Sequence, residues 1–567
     1  MCPSINQVDG RMLQDSDLTP LERALCSAAA TGRLLDSRCR SGEDDPARWR
    51  AWGKDRQIRA QVLRQLLTGE GYLDQAFGPP LAVRLRGASV SGRLNLGGLT
   101  LRCPLELHGC YLGGRVDLAK AEASGISLRG SHLAQRLSAR QLRLTHGLNL
   151  TGGFQCHGRV DLREGNVGSL ACEGATLSNS GGQALSANGL IVDRDLILRS
   201  AKVTGQVSLP GAHVSGQLDC SGATLSNFGG WALAADGLIV DQTLFLSSAK
   251  VTGQVRLPGA HVSGQLACNK ATLSNPTRPD LRLWSAALAA DGLTVGQSLI
   301  LSSAKVTGQV SLRGAHVSGP LDCEGATLSN RSSRALELED ALITGPVLMR
   351  PARVDGTFNL TAARVGGWYD DPRTWPATLR LEGFVYEAID APAVTPKQRL
   401  GWLRRHRWGY APQPYEQLAS VYRRAGNDQA ARTVAIAKQQ ARRAQASRGW
   451  VRAPSRAWSL VLRWTIGYGY RPALALPYLA GLFVIGWVVF SHAYPTALRP
   501  AESGPGQPEF NPARYTLDLL LPVANLHQRE AFVPRGYAAW WAFGLTLAGW
   551  LLAAVVVAGL TGVFKRD

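Results

Sequence analysis

The stretch Leu244-Phe-Leu246-Ser-Ser-Ala249-Lys-Val251-Thr-Gly-Gln-Val255-Arg-Leu257-Pro-Gly-Ala260-His-Val262 decides the fold. Leu244 and Leu246 alternate with one intervening residue, as do Val255 and Leu257. Each pair therefore leaves the same face of a short strand. A two-residue shift follows, then a small residue, Ala249 or Ala260, and a further apolar one, Val251 or Val262. The shift marks a corner, beyond which the next short side again points its small residue inward. The unit that starts at Leu244 starts again at Val255 and at Leu266, where Leu266-x-Cys268-x-x-Ala271-x-Leu273 continues it with the same step.

Working outward, the template fits Val83-Leu85-Ala88-Val90 and continues through Leu94, Leu105, Val116 and Ile126. It fits Val347-Met349-Ala352-Val354, Phe358-Leu360-Ala363-Val365 and finally Leu379-Leu381-Phe384-Tyr386. Leu148 to Gln155 is the poorest match among about 25 units. One unit supplies half a coil, so two close a turn. Coils stacked at the inter-strand spacing of about 4.8 Å give a linear array that needs caps. The spacing predicts a mainly β protein built on a right-handed parallel β-helix. A longer period overlies this one: Cys172, Cys220 and Cys268 recur at equal intervals, and Cys323 follows after the insertion Pro276–Trp284. One connection in each long period, such as Ser226–Gly230, is four residues longer and reads as a loop on one side of the rod.

The array resembles pentapeptide-repeat proteins and related β-helices, although its step is one residue longer than two pentapeptides and few units carry an A-[D/N]-L core. The whole layout resembles a group of actinobacterial membrane-anchored, pentapeptide-repeat-like proteins, whose members are often labelled membrane-associated oxidoreductases. That resemblance implies a helical head, the repeats, an Arg-rich helical hairpin and two C-terminal spans. It implies redox activity by label alone, since no motif in the chain carries it.

The domains expected are a helical cap (1–80), the solenoid (81–388), a basic tetratricopeptide-like hairpin (396–450) and a membrane anchor (451–567). In the cap, Thr19-Pro20-Leu21-Glu22 has the form of a helix start, and Asp55–Leu67 reads as a second helix. Leu418, Ala419, Tyr422, Gly426 and Ala431 carry the hairpin spacing. The apolar runs 473–493 and 541–564 are long enough to cross a bilayer. Ala554, Ala558 and Gly562 make a small-residue stripe for helix packing.

Net charge is +20, concentrated between Lys397 and Arg471, where sixteen Lys or Arg face only Glu416 and Asp428. A basic block beside apolar sequence points to anionic membrane lipids rather than nucleic acid. Arg442, Arg443, Arg448, Arg452, Arg456, Arg463 and Arg471 form that expected collar. With Lys565-Arg566 they predict a two-pass protein of the cytoplasmic membrane with both termini in the cytoplasm. No signal peptide is visible.

Thr465-Ile-Gly-Tyr-Gly469 looks like a channel filter but precedes the first apolar run instead of lying between two. The Cys ladder occupies inward slots, where a thiol is a small apolar residue. His213, His261 and His316, and likewise Lys202, Lys250 and Lys305, recur at outward slots as two columns. These are the candidate partner-binding residues. The chain carries no dinucleotide fingerprint, Walker loop, nucleophile elbow or zinc-type cluster, so no catalytic, cofactor or metal residue is assigned. The expectation is a cytoplasm-facing, membrane-anchored scaffold that binds other proteins or itself. The alternatives are a membrane-associated oxidoreductase or a channel or transport accessory protein.

Overall fold

In a computed structural model, the described residues are 13–38, 44–69, 73–275, 286–389, 394–446, 475–501, 509–521 and 526–560. The chain divides into two compact units, Met1–Trp408 and Gly409–Asp567.

The first unit is a parallel β-solenoid. Lys202 pairs with Thr224, and Thr224 pairs with Lys250, so a shorter coil alternates with one that is four residues longer. One coil runs through the strand Lys202–Ser208, a tight turn at Leu209–Ala212, the short strands His213–Val214 and Leu218–Asp219, and a second turn at Cys220–Ala223. The turns are closed by Ala212 N donating to Leu209 O and Ala223 N donating to Cys220 O, both at 3.1 Å. The third residue of each turn has a left-handed backbone: Gly211 at φ 62° and Gly222 at φ 65°. Glycine adopts that conformation without strain.

Inward residues stack slot on slot. Val203, Leu225, Val251, Leu273, Val306 and Leu328 form one buried column. The four further residues of the coils that begin at Thr176, Thr224 and Thr327 leave the wall as a bulge. Its first residue closes it the same way every time: the Nδ2 groups of Asn179, Asn227, Asn275 and Asn330 donate to the carbonyls of Gln183, Trp231, Ala286 and Arg334, each at 2.8 Å.

The N-terminal end is closed by strands as well as helices. Leu34–Asp36 pairs with Arg84–Arg86, and Gln57–Arg59 pairs with Ser89–Ser91, so the head adds rungs to the array. The helix expected over 55–67 therefore begins only at Ala60, because Ile58 is taken into the wall. Thr19 caps the helix Pro20–Thr31 in a reciprocal capping box with Glu22. Glu22 is buried, which would raise its pKa, but hydrogen bonds from Arg59 and the backbone of Thr19 and Arg59 bring it below the usual range.

At the other end the helix Pro396–Leu403 lies in the first unit, and Arg399 is fully buried. Its guanidinium meets Asp370 through two hydrogen bonds of 2.8 and 2.9 Å. Trp368 and Trp375 also donate their indole N–H groups to Asp370 Oδ2, at 2.7 and 2.9 Å. The chain then turns back to cover the last rung, with Leu379 N donating to Arg405 O.

In the second unit, the helices Gln413–Arg424 and Asp428–Ala446 form a hairpin burying Leu418, Val421, Tyr422, Ala431 and Val434. Helices Ala475–Ala493, Pro512–Leu520 and Tyr537–Leu560 share a core of Phe490, Ala493, Tyr515, Leu519, Ala538, Ala542 and Leu545. The two spans expected at 473–493 and 541–564 are corrected here. Among the described residues, no helix is long and apolar enough to cross a membrane. The first apolar run is helical over only 19 described residues, about 28 Å at 1.5 Å per residue, and part of both runs goes into this core around a third helix. With the spans fall the anchor, the insertion into anionic lipid and the two-pass topology of the cytoplasmic membrane.

Arg399→Ala leaves the Asp370 carboxylate buried without its cation, a change that costs about 3–5 kcal/mol in comparable pairs. Amide exchange of the full-length protein is expected to lose protection over residues 353–389 while 200–330 keeps it. Unchanged protection at 353–389 would remove the pair as the lock of this end.

Candidate functional site: a lysine and hydroxyl ladder

Every outward residue of a solenoid coil stands over its equivalent in the coil before. On the strands beginning with Thr176, register places Thr176, Lys202, Thr224, Lys250, Thr272, Lys305, Thr327 and Arg353 in one column. Two residues along the same strands, and so on the same face, runs a second column. It holds Ser178, Thr204, Ser226, Thr252, Ser274, Thr307, Ser329 and Asp355. From Thr176 to Ser329 the two columns hold no carboxylate. Lys202, Lys250 and Lys305 are exposed, and among the described residues none has an ion-pair partner. Arg353 closes the stripe by pairing with Asp355 at 2.9 Å. Sequence reasoning singled out the lysines; it missed the hydroxyl column beside them, although K-V-T and T-L-S in alternate coils carry it.

Towards the N-terminus the lysine column passes through Gln155 and His132 to Tyr111. Trp49 from the head stacks on Tyr111 at 4.2 Å between ring centroids, and His157 lies 4.9 Å from His132. The His132 pKa is lowered by burial and then by His157.

The histidine column stands on the other sheet: Ile191, His213, Ile239, His261, Thr294, His316 and Leu342 follow in register. His213 Nε2 lies 2.9 Å from Asp241 Oδ2. Successive histidines are two coils apart, roughly 10 Å by strand spacing, too far for a shared ion. Among the described residues, no group of three His, Cys, Asp or Glu could hold a metal.

Cys172, Cys220, Cys268 and Cys323 are wholly buried. Burial pushes the first three thiols up to about 12 and Cys323 upward too. Of the arginine collar, Arg442 and Arg443 lie near the end of the helix Asp428–Ala446. Arg448, Arg452, Arg456, Arg463 and Arg471 lie outside the described residues. Ala554 and Ala558 fall on the helix Tyr537–Leu560 past the last described side chain, and Gly562 lies outside it.

A groove of about 410 Å³ opens where Gly125 and Gly147 face each other across adjacent coils, lined by Glu106, Ser127, His146, Asn149 and Ser169. Beside it His108 Nε2 lies 3.2 Å from Ser127 Oγ and 3.8 Å from Glu106 Oε2. A nucleophilic triad needs the serine on one ring nitrogen and the acid on the other. Here both approach Nε2, so the imidazole cannot relay a proton between them. Burial lowers the His108 pKa, partly opposed by Glu106.

No family model, no curated protein and no solved structure matches the chain. The resemblance to the actinobacterial membrane-anchored group thus has no support from relatives, and among the described residues the spans that defined it are absent. The reading as an oxidoreductase rested on that resemblance alone.

Two measurements follow. The four ladder thiols are expected to resist iodoacetamide at pH 8 in the folded protein and to react fully in urea, read by mass spectrometry of labelled peptides. For His108 and His132, the folded pKa lies below the unfolded value near 6.5, so the unfolded chain binds more protons. Their contribution is complete above that value and is lost as pH falls through the folded pKa. Amide protection over residues 105–157, corrected for intrinsic exchange, is expected to drop between pH 7 and pH 5, and less so in a His108→Gln, His132→Gln double variant.

Proposed function

We propose that the protein is a non-catalytic β-solenoid scaffold that binds a partner along its lysine and hydroxyl face. The observation carrying this reading is the pair of in-register columns from Thr176 to Ser329, with three exposed lysines that have no ion-pair partner among the described residues, and no carboxylate. A stripe of one charge sign attracts an oppositely charged partner and fixes its register. Inward stacking requires none of these residues: an outward slot tolerates any polar side chain, yet this face repeats one choice over successive coils.

The reading is tested by photo-crosslinking from Thr252, with wild-type protein compared with a Lys202→Glu, Lys250→Glu, Lys305→Glu variant whose circular dichroism is unchanged. The wild type is expected to give discrete crosslinked species that fade as salt rises, and the charge-reversed variant is expected to lose them. Identical crosslinks from both proteins would sink the reading.

A further inference from the structure

We infer that the partner of this face is an extended acidic peptide in the polyproline II conformation, with a carboxylate at every third residue. The inference rests on the scaffold reading and names its partner class.

Spacing comes first. The lysines stand two coils apart, so the cationic period is roughly 9.6 Å, twice the inter-strand distance. A β-strand returns a side chain to one face every second residue, giving periods of about 6.6 or 13 Å. An α-helix returns to one face after seven residues, about 10.5 Å. Polyproline II has three residues per turn and a rise of about 3.1 Å, returning every third residue at about 9.3 Å. The remaining difference is within reach of a flexible lysine stem, whereas the helix accumulates three times that error at each step.

The hydroxyls make the second case. Between successive lysines stand Thr224 and Thr272, with Thr327 following Lys305, and Ser226, Thr252, Ser274 and Thr307 run alongside. A polyproline II backbone has no internal hydrogen bonds and leaves its carbonyls open to solvent. A row of Ser and Thr hydroxyls supplies donors for them. An α-helix satisfies its own carbonyls and would leave that row without partners.

The third observation is the aromatic cluster of Trp49, His132 and His157 packed over the buried Tyr111. It lies three coils from Lys202 along the same columns. Proline-rich segments dock against aromatic surfaces of this kind, and a basic stripe running on from such a wall receives the acidic continuation.

The test uses full-length protein and fluorescein-labelled synthetic peptides in an anisotropy titration at low salt. A peptide of six Glu-Pro-Pro repeats is expected to bind at least tenfold tighter than six Gln-Pro-Pro repeats. It is also expected to bind at least fivefold tighter than a peptide of identical composition with its glutamates clustered at one end. Lys202→Ala, Lys250→Ala, Lys305→Ala in one chain is expected to weaken it at least tenfold with the circular dichroism spectrum unchanged. Equal binding of the clustered peptide, tighter binding of a helix-forming acidic peptide or of single-stranded oligonucleotide, or indifference to the triple substitution would overturn the inference. If the Glu-Pro-Pro peptide fails while charge reversal still abolishes the crosslinked species, the scaffold reading stands and the peptide class alone is wrong. Loss of both removes both.

Discussion

The structure of the first unit depends on the lateral hydrogen-bond ladder between successive coils. Because the ladder is parallel and in register, residue Lys202 must lie beneath Thr224 and Thr224 beneath Lys250. No coil can gain or lose a single residue inside the wall without turning its inward side chains outward. The longer coils resolve this by expelling their four extra residues at one point and closing the gap with an asparagine amide. The same constraint that stacks Val on Leu inside stacks Lys on Thr outside. The columns on the surface are therefore a geometric consequence of the core, and only their composition is left free for function.

A ladder of this kind has open edges at both ends, each a row of unpaired backbone groups. The N-terminal edge is continued by two head strands until the helix Pro20–Thr31 and its neighbours cover it. The C-terminal edge is closed differently. A buried charge pair, Asp370 with Arg399, is held between Trp368, Trp375 and Trp402. The returning chain then hydrogen-bonds the final rung. A buried pair is weak evidence for net stability, but breaking it strands a charge, so it fixes where the cap helix sits.

The solenoid was legible because its signal repeats: Leu244, Leu246, Ala249 and Val251 recur with a period that belongs to stacked coils. The poorest unit, Leu148–Gln155, follows the coil where the ladder shifts register between Leu144 and Gly147 and the groove opens. What the pattern could not show lies between residues far apart in the chain. Asp370 and Arg399 are ordinary charges until the fold brings them together, and Gln57–Arg59 reads as helix until it meets Ser89–Ser91. The lysines were visible as a column because one residue type recurs, whereas the hydroxyl column two residues on alternates Thr with Ser in K-V-T and T-L-S and stands out only once register stacks the coils. The apolar C-terminal runs misled for a related reason. Composition cannot tell a lipid-facing residue from one that, like Ala542 or Leu545, packs against a neighbouring helix.

The insertion at Pro276–Trp284 shows which parts of this architecture are fixed and which are free. It falls at the bulge of one long coil, just after Asn275, and that asparagine still closes the gap by donating to Ala286 O. On either side the inward pairs are kept: Leu273 pairs with Val306, and Leu288 with Val310 after the same one-residue shift, here between Ala286 and Leu288, that the coils from Thr176 and Thr224 show. The fold thus admits added sequence at this bulge while the columns on either side keep their pairing. Since the bulges border the hydroxyl column in every second coil, sequence change there alters what flanks the face while the spacing of its lysines stays locked to the coil repeat. A surface whose charge period is set by the backbone ladder can discriminate partners by period. Its core must be built to the same measure, and so the spacing of the lysine column cannot drift without loss of the fold.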